Sequence, residues 1–420
     1  MAVVKKIWNK HYYSICFFAF LLIYSLTVPT SLQPWHACNV SLAFHAVDFS
    51  MGFCSKILPG AIYNIFFDSV TFFKVTLYES ILLILFFVAV SVLLEKVMLS
   101  IDSQYKKSAT IMMLFFLTGP VTFGGYVKQM GMIDVYWLFL TAFFLFALYN
   151  KKTRLLLPII AVLCVAVHYS AIICFVPFFA LLILYKASCT DDKKEKKLLN
   201  INFFVTVILS LASTVYFVIF EKKNLTYSRE EFDKILLDRG VLETNLNYYD
   251  FAFYNYSEGN EEFLSELEMN FDLGYLFDVI WQQIGTNQTF FKTLSSGEIW
   301  ITAAFIFALI VPLVVFVFKA FVTVIKKNKE NKIKVFSLVC MMLLPVATLG
   351  CCFLFSTDLI RWILHAFLPL FVSFIFVLYY EGKEMWKLVH EKISAVPSGL
   401  LIIYFMVYSL SVFDPYLYIH

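Results

Sequence analysis

The stretch HAVDFSMGFCSKILPG, residues 45–60, places one acid, Asp48, and one base, Lys56, between two hydrophobic runs. Asp48, Gly52, Lys56 and Gly60 recur every four residues, so on a helix they share one stripe. Three more ionisable groups lie where apolar runs end: Lys128 with Asp134, His168, and Asp358 with Arg361 and His365. The last three are spaced by three and four residues, which puts them on one helix face with His365 about a turn deeper than Arg361. Charge at membrane depth is costly and tends to be functional. A carboxylate in such a set can take a proton from an acceptor hydroxyl. Arginine and lysine can neutralise a phosphate leaving group, arginine bidentately and lysine as a point charge. Plainer roles compete. Asp358 and Asp134 each suit a helix N-cap, Arg361 a local ion pair with Asp358, Lys128 a surface lysine, and His168 a satisfied structural histidine. Asp48 has no capping role visible in the sequence and sits among Phe44, Phe49 and Phe53.

The composition fixes the setting of these residues. The chain of 420 residues is 61% hydrophobic, 19% aromatic and only 15% charged, against about 25% charged in a soluble domain. This predicts an all-α polytopic membrane protein. The net charge of +3 argues against a nucleic-acid partner. The nine cysteines show no metal-type spacing; most fall in apolar runs, where cysteine acts as a small hydrophobe. Cys38 and Cys54 share the first external loop and are a candidate disulfide pair. Asn39, Asn224, Asn255 and Asn287 open N-x-S/T sequons, which carry no meaning in a bacterial protein. The apolar run after Lys5, Lys6 and Lys10 lacks a convincing cleavage site and reads as a retained first span.

A helix needs about 20 apolar residues to cross the hydrocarbon core, and Lys/Arg clusters mark the cytoplasmic side. These rules place spans at roughly 12–30, 73–95, 109–124, 134–150, two short helices within 155–186, then 200–220, 297–318, 334–355, 360–380 and 396–412. About eleven crossings result, with the N-terminus cytoplasmic and the C-terminus external. The external loop over 31–72 is expected to hold amphipathic helices. The segment 221–295 carries 14 acidic against 6 basic residues up to Lys292 and is expected to form an external cap subdomain. Within it, Ser228 and Glu231 form a capping box ahead of a helical pattern. No inverted internal repeat is evident.

A short first span, an acid in the first external loop and a large loop between spans 7 and 8 resemble the GT-C superfamily. These are integral-membrane glycosyltransferases that use lipid-phosphate-linked sugars. The resemblance implies that Asp48 is a catalytic base and that the first loop lies along the membrane. The stretch DFSMGFCSKILPG is also similar to a motif of uncharacterised bacterial proteins from polysaccharide clusters, with Lys56 standing where those carry arginine. MGMID keeps Gly131 and Asp134 of a related motif but lacks its arginine, for which Lys128 stands in. DLIRW, with Asp358, Arg361 and Trp362, matches a third motif. HYSAIICFVPFF resembles a stretch shared with EpsG/Wzy-type polysaccharide polymerases.

The expected function is transfer of a sugar from a polyprenyl-phosphate-linked donor to a glycan or lipid-linked acceptor, at the outer face of a bacterial plasma membrane. Asp48 would deprotonate the acceptor hydroxyl. Arg361, Lys128 and Lys56 would stabilise the departing phosphate, and His168, Asp134 and His365 would orient substrate. No cofactor is implied with certainty. A divalent metal stays open, with no second acid close to Asp48 in sequence. The alternatives are a Wzy/EpsG-like polymerase, a transporter or flippase for a lipid-linked sugar, and a non-catalytic assembly scaffold. A fixed site is favoured because the candidate charges gather at one membrane face rather than through its depth.

Overall fold

A computed structural model describes residues 10–27, 39–51, 55–127, 134–224, 229–241, 297–355 and 359–411. Among them there are helices and turns and no strand. A hydrocarbon environment demands this, because only structures that satisfy their backbone hydrogen bonds internally survive there. Seven helical segments are long and apolar enough to cross a membrane, or eight when a bent pair is taken as one span. The chain is therefore a multi-pass membrane protein.

Helix α1 (Tyr12–Thr27) packs on α4 (Phe72–Leu99). Between them lie two short helices, α2 (Asn39–Ala46) and α3 (Leu58–Tyr63), which pack on each other. Thr71 caps α4 by accepting a hydrogen bond from the Lys74 amide at 3.2 Å. Then follow α5 (Lys106–Thr118), the short α6 (Phe123–Val127) and α7 (Asp134–Tyr149). The apolar run 155–186 is split into α8 (Leu157–Val167) and α9 (Phe175–Ser188), with His168 at the break between them. Helix α10 (Lys193–Asn224) packs against both, and α11 (Arg229–Asp238) follows it. The last third comprises α12 (Gly297–Lys327), α13 (Lys332–Phe355), α14 (Leu359–Glu381), α15 (Lys383–Ser394) and α16 (Ser398–Leu410), with a 99° bend between the last two.

Helix α14 is the centre of the bundle. Its apolar window is 94% buried, whereas that of α10 is 22% buried and so faces outward. A helix apolar on every side belongs inside a helical assembly. Pro312, Pro345 and Pro369 sit inside α12, α13 and α14, which neighbouring helices in a membrane accommodate. Phe144 of α7 stacks on Phe179 of α9 with ring centroids 4.0 Å apart.

Polar groups collect at the two ends of this bundle. One end holds the C-terminus of α7. There Lys186 Nζ and Arg154 Nε both donate to the Leu148 carbonyl, at 2.8 and 3.3 Å, a favourable place for cations. Arg154 also pairs with Glu195 at 2.7 Å, and Lys334 with Glu381 at 2.5 Å. The other end holds α2, α3, the start of α4, and the break at His168.

The stretch 45–60 is not one helix, which corrects the expectation of a single four-residue stripe. After α2 the chain makes a tight turn at Phe49–Met51, and Lys56 has φ +70°. A left-handed lysine cannot belong to a right-handed helix, and it costs strain that the surroundings must offset. The Lys56 amide donates to the Ala166 carbonyl at 3.1 Å, which ties this loop to α8. Gly60 is required for a different reason. A Cβ there would stand 1.9 Å from the Val47 carbonyl oxygen. The return of α3 across the end of α2 therefore depends on a hydrogen at this position. Gly60→Ala is expected to destabilise the protein by about 1–3 kcal/mol or more through overpacking. Gly350→Ala, where nothing lies within 4 Å of the added carbon, should be neutral or slightly stabilising. Thermal unfolding of both variants in detergent checks this; equal midpoints would refute it.

Candidate functional site

Asp48 lies two residues past the end of α2, and its half-buried carboxylate is held by three residues. Oδ1 accepts from the Ser50 amide at 2.9 Å and from the Ser50 hydroxyl at 2.5 Å. This local loop, from an aspartate to the backbone two residues on, sets the turn at Phe49–Met51. It is the capping role that the sequence did not reveal. Oδ2 accepts from Asn64 Nδ2 at 2.9 Å and pairs with Arg239 Nη1 at 2.9 Å. Arg239 Nη1 also donates to the Ala46 carbonyl at 2.7 Å. Partial burial raises the Asp48 pKa, but the two Ser50 hydrogen bonds and the Arg239 guanidinium outweigh it and hold the carboxyl below its usual range. Asp48 is thus ionised at neutral pH.

Arg239 comes from the far side of the sequence. It follows the last residue of α11, and its carbonyl accepts from the Val70 amide at 2.8 Å. Gly240 follows with φ +96°, where an added Cβ would lie 2.6 Å from the Val70 carbonyl. The pattern DRG is a helix end with glycine in the left-handed position. Leu236 and Val241 are buried beneath it. The described part of the long acidic segment is therefore docked on the first loop, with Arg239 as its polar anchor.

Behind Asp48 lies a buried polar layer. His45 Nδ1 is 2.7 Å from the Ser41 carbonyl, and His45 Nε2 is 2.8 Å from the Tyr136 hydroxyl. A carbonyl can only accept, so Nδ1 carries the proton and Nε2 accepts from Tyr136. Burial pushes the His45 pKa down to about 4, so the ring is neutral at neutral pH. The Ser41 hydroxyl also donates to Glu79, about 10 Å along α4 from Phe72. Glu79 Oε1 is 4.0 Å from His45 Nδ1. Tyr63 and Tyr78 pack edge-on against the His45 ring.

A second buried histidine stands nearby. His365 Nδ1 is 2.5 Å from the Tyr126 hydroxyl, and its ring meets Trp137 edge-on at 4.8 Å. Trp137 Nε1 donates to the Cys164 carbonyl at 2.9 Å, and its ring is 6.2 Å from that of His168. His168 in turn caps the next turn by accepting from the Ser170 amide at 3.1 Å.

Of the expected site residues, the structure brings His168 and His365 against Trp137, with ring centroids 6.2 and 4.8 Å from the indole, and sets Asp48 in the loop that the Lys56 amide ties to Ala166. His365 is only 1% exposed and is enclosed by Tyr126 and Trp137. Asp48 pairs with Arg239 and not with Lys56. Asp134 opens α7 and Arg361 lies in the first turn of α14. Lys128, Asp358, the Cys38–Cys54 pair and residues 225–228 and 242–295 of the expected cap lie outside the described residues. Among the described residues no three of His, Cys, Asp and Glu gather in a metal-binding group.

Sequence reasoning missed Arg239, Asn64, His45 and Glu79. Glu79 carried a signal: it is an acid inside an apolar span. Arg239 carried only the helix-end glycine beside it. Comparison of the chain with family models, with curated proteins and with solved structures finds no match.

The Asp48–Arg239 pair should hold α11 on the first loop in a pH-dependent way. Because the folded carboxyl pKa is depressed, the pair's contribution is complete above the unfolded aspartate value of about 4 and is lost as pH falls below it. Hydrogen exchange at residues 229–241 is expected to speed up in Asp48→Asn and Arg239→Ala at neutral pH, and in the parent chain only under acid. Unchanged protection in both variants would show that the pair does not anchor the segment.

Proposed function

We propose that this chain is a GT-C-like glycosyltransferase that moves a sugar from a polyprenyl-phosphate-linked donor to a glycan or lipid-linked acceptor. In this reading it crosses a bacterial plasma membrane about eleven times, with the N-terminus inside and the site on the outer face. The observation that carries the proposal is Asp48: an ionised carboxylate at the bundle end, fixed in place and paired with a guanidinium from the long segment between α10 and α12.

As it stands, the Asp48 carboxylate accepts four hydrogen bonds, which leaves it little appetite for a proton. Arg239 resolves this. A donor phosphate offers the guanidinium a better, bidentate partner. When Arg239 turns to the phosphate, Oδ2 keeps only the Asn64 hydrogen bond and has a lone pair open for the acceptor's hydroxyl proton. The acceptor oxygen then bonds to the anomeric carbon as the bond from that carbon to the phosphate oxygen breaks. The bond's electron pair leaves with the phosphate, whose charge Arg239, Arg361, Lys128 and Lys56 balance. A single displacement inverts the anomeric centre. His168, Asp134 and the buried His365 position the walls around the sugar.

One observation favours a second reading. Glu79, an acid inside a candidate span, lies 4.0 Å from His45, an ionisable pair of the kind proton-coupled transporters of polar cargo use. Sugar transfer from a lipid-linked donor, measured on purified protein, separates the two. Asp48→Asn should cut transfer by about 10²–10⁴-fold, the usual contribution of general base catalysis, and Arg361→Ala should lower it as well. Full transfer by well-folded Asp48→Asn protein would remove the catalytic role. Lost flipping of the donor in Glu79→Gln vesicles, with Asp48→Asn active, would support the transporter.

A further inference from the structure

We propose that Glu79 is a proton-binding site whose proton latches α2, and with it the Asp48 turn, onto α4. Glu79 sits about two turns into α4 and is 4% exposed. The Ser41 hydroxyl donates to it, and the basic group beside it is His45, 4.0 Å away. That ring is neutral, with Nδ1–H spent on the Ser41 carbonyl and Nε2 on Tyr136. Tyr136 from α7, Tyr63 from α3 and Tyr78 from α4 itself surround the ring as neutral phenols. Tyr24 of α1 spends its hydroxyl on the Thr118 and Ser409 carbonyls. Lys74, five residues earlier on α4, pairs with Asp68, and Arg239 pairs with Asp48. Among the described residues neither lysine nor arginine forms an ion pair with Glu79.

A carboxylate inside a protein needs a cation or several donors in place of the water it has lost. Glu95, Glu195 and Glu381, each largely buried, have His11, Arg154 and Lys334 as partners. Asp48, only half-buried, has the two Ser50 donors, Asn64 and Arg239. Glu79 is more deeply buried than Asp48 and has the Ser41 hydroxyl and a neutral imidazole. Ionised in place, it would be an uncompensated charge in a layer that water does not reach, and an isolated buried charge neutralises instead. A proton on Glu79 leaves Ser41, Glu79, His45 and Tyr136 uncharged throughout.

The position of this layer gives the proton its consequence. Ser41 joins α2 to α4 through Glu79, and the end of α2 runs into the candidate site. The Ala46 carbonyl, next to His45, accepts from Arg239, and Asp48 lies two residues on. Loss of the proton favours an opened arrangement in which water reaches the carboxylate. It therefore parts α2 from α4 and loosens the Asp48–Arg239 contact as pH rises. The sign is opposite to that of the Asp48–Arg239 pair itself, which weakens in acid. The proposal rests on neither functional reading, because a proton held at equilibrium on Glu79 requires neither sugar transfer nor transport.

The full chain in phosphatidylcholine vesicles tests it, by infrared spectroscopy and by hydrogen exchange of α2. The parent is expected to show the C=O stretch of a protonated carboxyl at neutral pH, fading at alkaline pH. Glu79→Gln, which keeps the shape of the neutral acid, should lack that band. The closed layer holds the proton and an opened, wetted one releases it. Exchange of α2 in the parent, corrected for the intrinsic amide rate, should therefore speed up by about tenfold per pH unit across the neutral range, the slope for one bound proton. In Glu79→Gln the corrected rate should be flat. A parent without the acid band, a parent whose corrected rate is flat, or a Glu79→Gln protein that keeps the parent's slope would each overturn the proposal. The first two outcomes are read on the parent alone, so they decide the matter even if Glu79→Gln does not fold.

Discussion

Hydrocarbon offers no partner to a hydrogen-bonding group, and the arrangement of this chain follows from that constraint. Backbone groups are satisfied within helices, and side-chain polar groups are driven to the two ends of the bundle. Ionisable groups buried among the described residues are tethered: Glu79 to Ser41, His45 to Tyr136, His365 to Tyr126, and Lys186 to the Leu148 carbonyl. Such pairs gain strength where water is excluded and are expensive to break one-sidedly. They fix the rotation of α2, α4, α7, α9 and α14 about their axes, which non-directional packing of leucine on leucine against apolar lipid does poorly.

Trp137 shows how this constraint builds a site. Its indole donates to the carbonyl of Cys164, three residues before the end of α8. That bond fixes α7 against the break at His168, while the ring presses on His365 of α14. Three elements distant in sequence are thereby held around one aromatic plate. Asp48 is positioned by another logic. Its neighbour Ser50 shapes a local turn, and its long-range partner Arg239 arrives from about 190 residues later, at |i−j| = 193 from the Ala46 carbonyl it also caps. The loop end is thus held by the local turn on one oxygen of Asp48 and by Asn64 and Arg239 on the other.

The all-helical, multi-pass character of the chain was legible in the sequence, because long apolar runs bounded by basic clusters have no other stable form in lipid. Helix positions were also legible, down to the break at His168. Length and apolarity single out seven or eight crossing helices, since α1 and α7 are short and α16 bends sharply from α15. The four-residue stripe from Asp48 to Gly60 was misleading. Periodicity signals a helix only if the backbone can adopt one, and the tie between the Lys56 amide and Ala166 draws that residue into the left-handed region.

By itself the sequence determined that the chain is all-helical and multi-pass and that ionisable residues gather near the ends of its apolar runs, since both follow from local transfer energies. Only the tertiary structure decided which of those residues meet. Lys56 was the apparent partner of Asp48 because it was near in sequence; Arg239 is the actual one because α11 folds back onto Val70. His45 and Glu79 gained meaning only when α2 was laid against α4. The reason is physical. Burial energies are read residue by residue, whereas a hydrogen bond or ion pair exists only between two groups that the whole fold has brought within a few ångströms of each other.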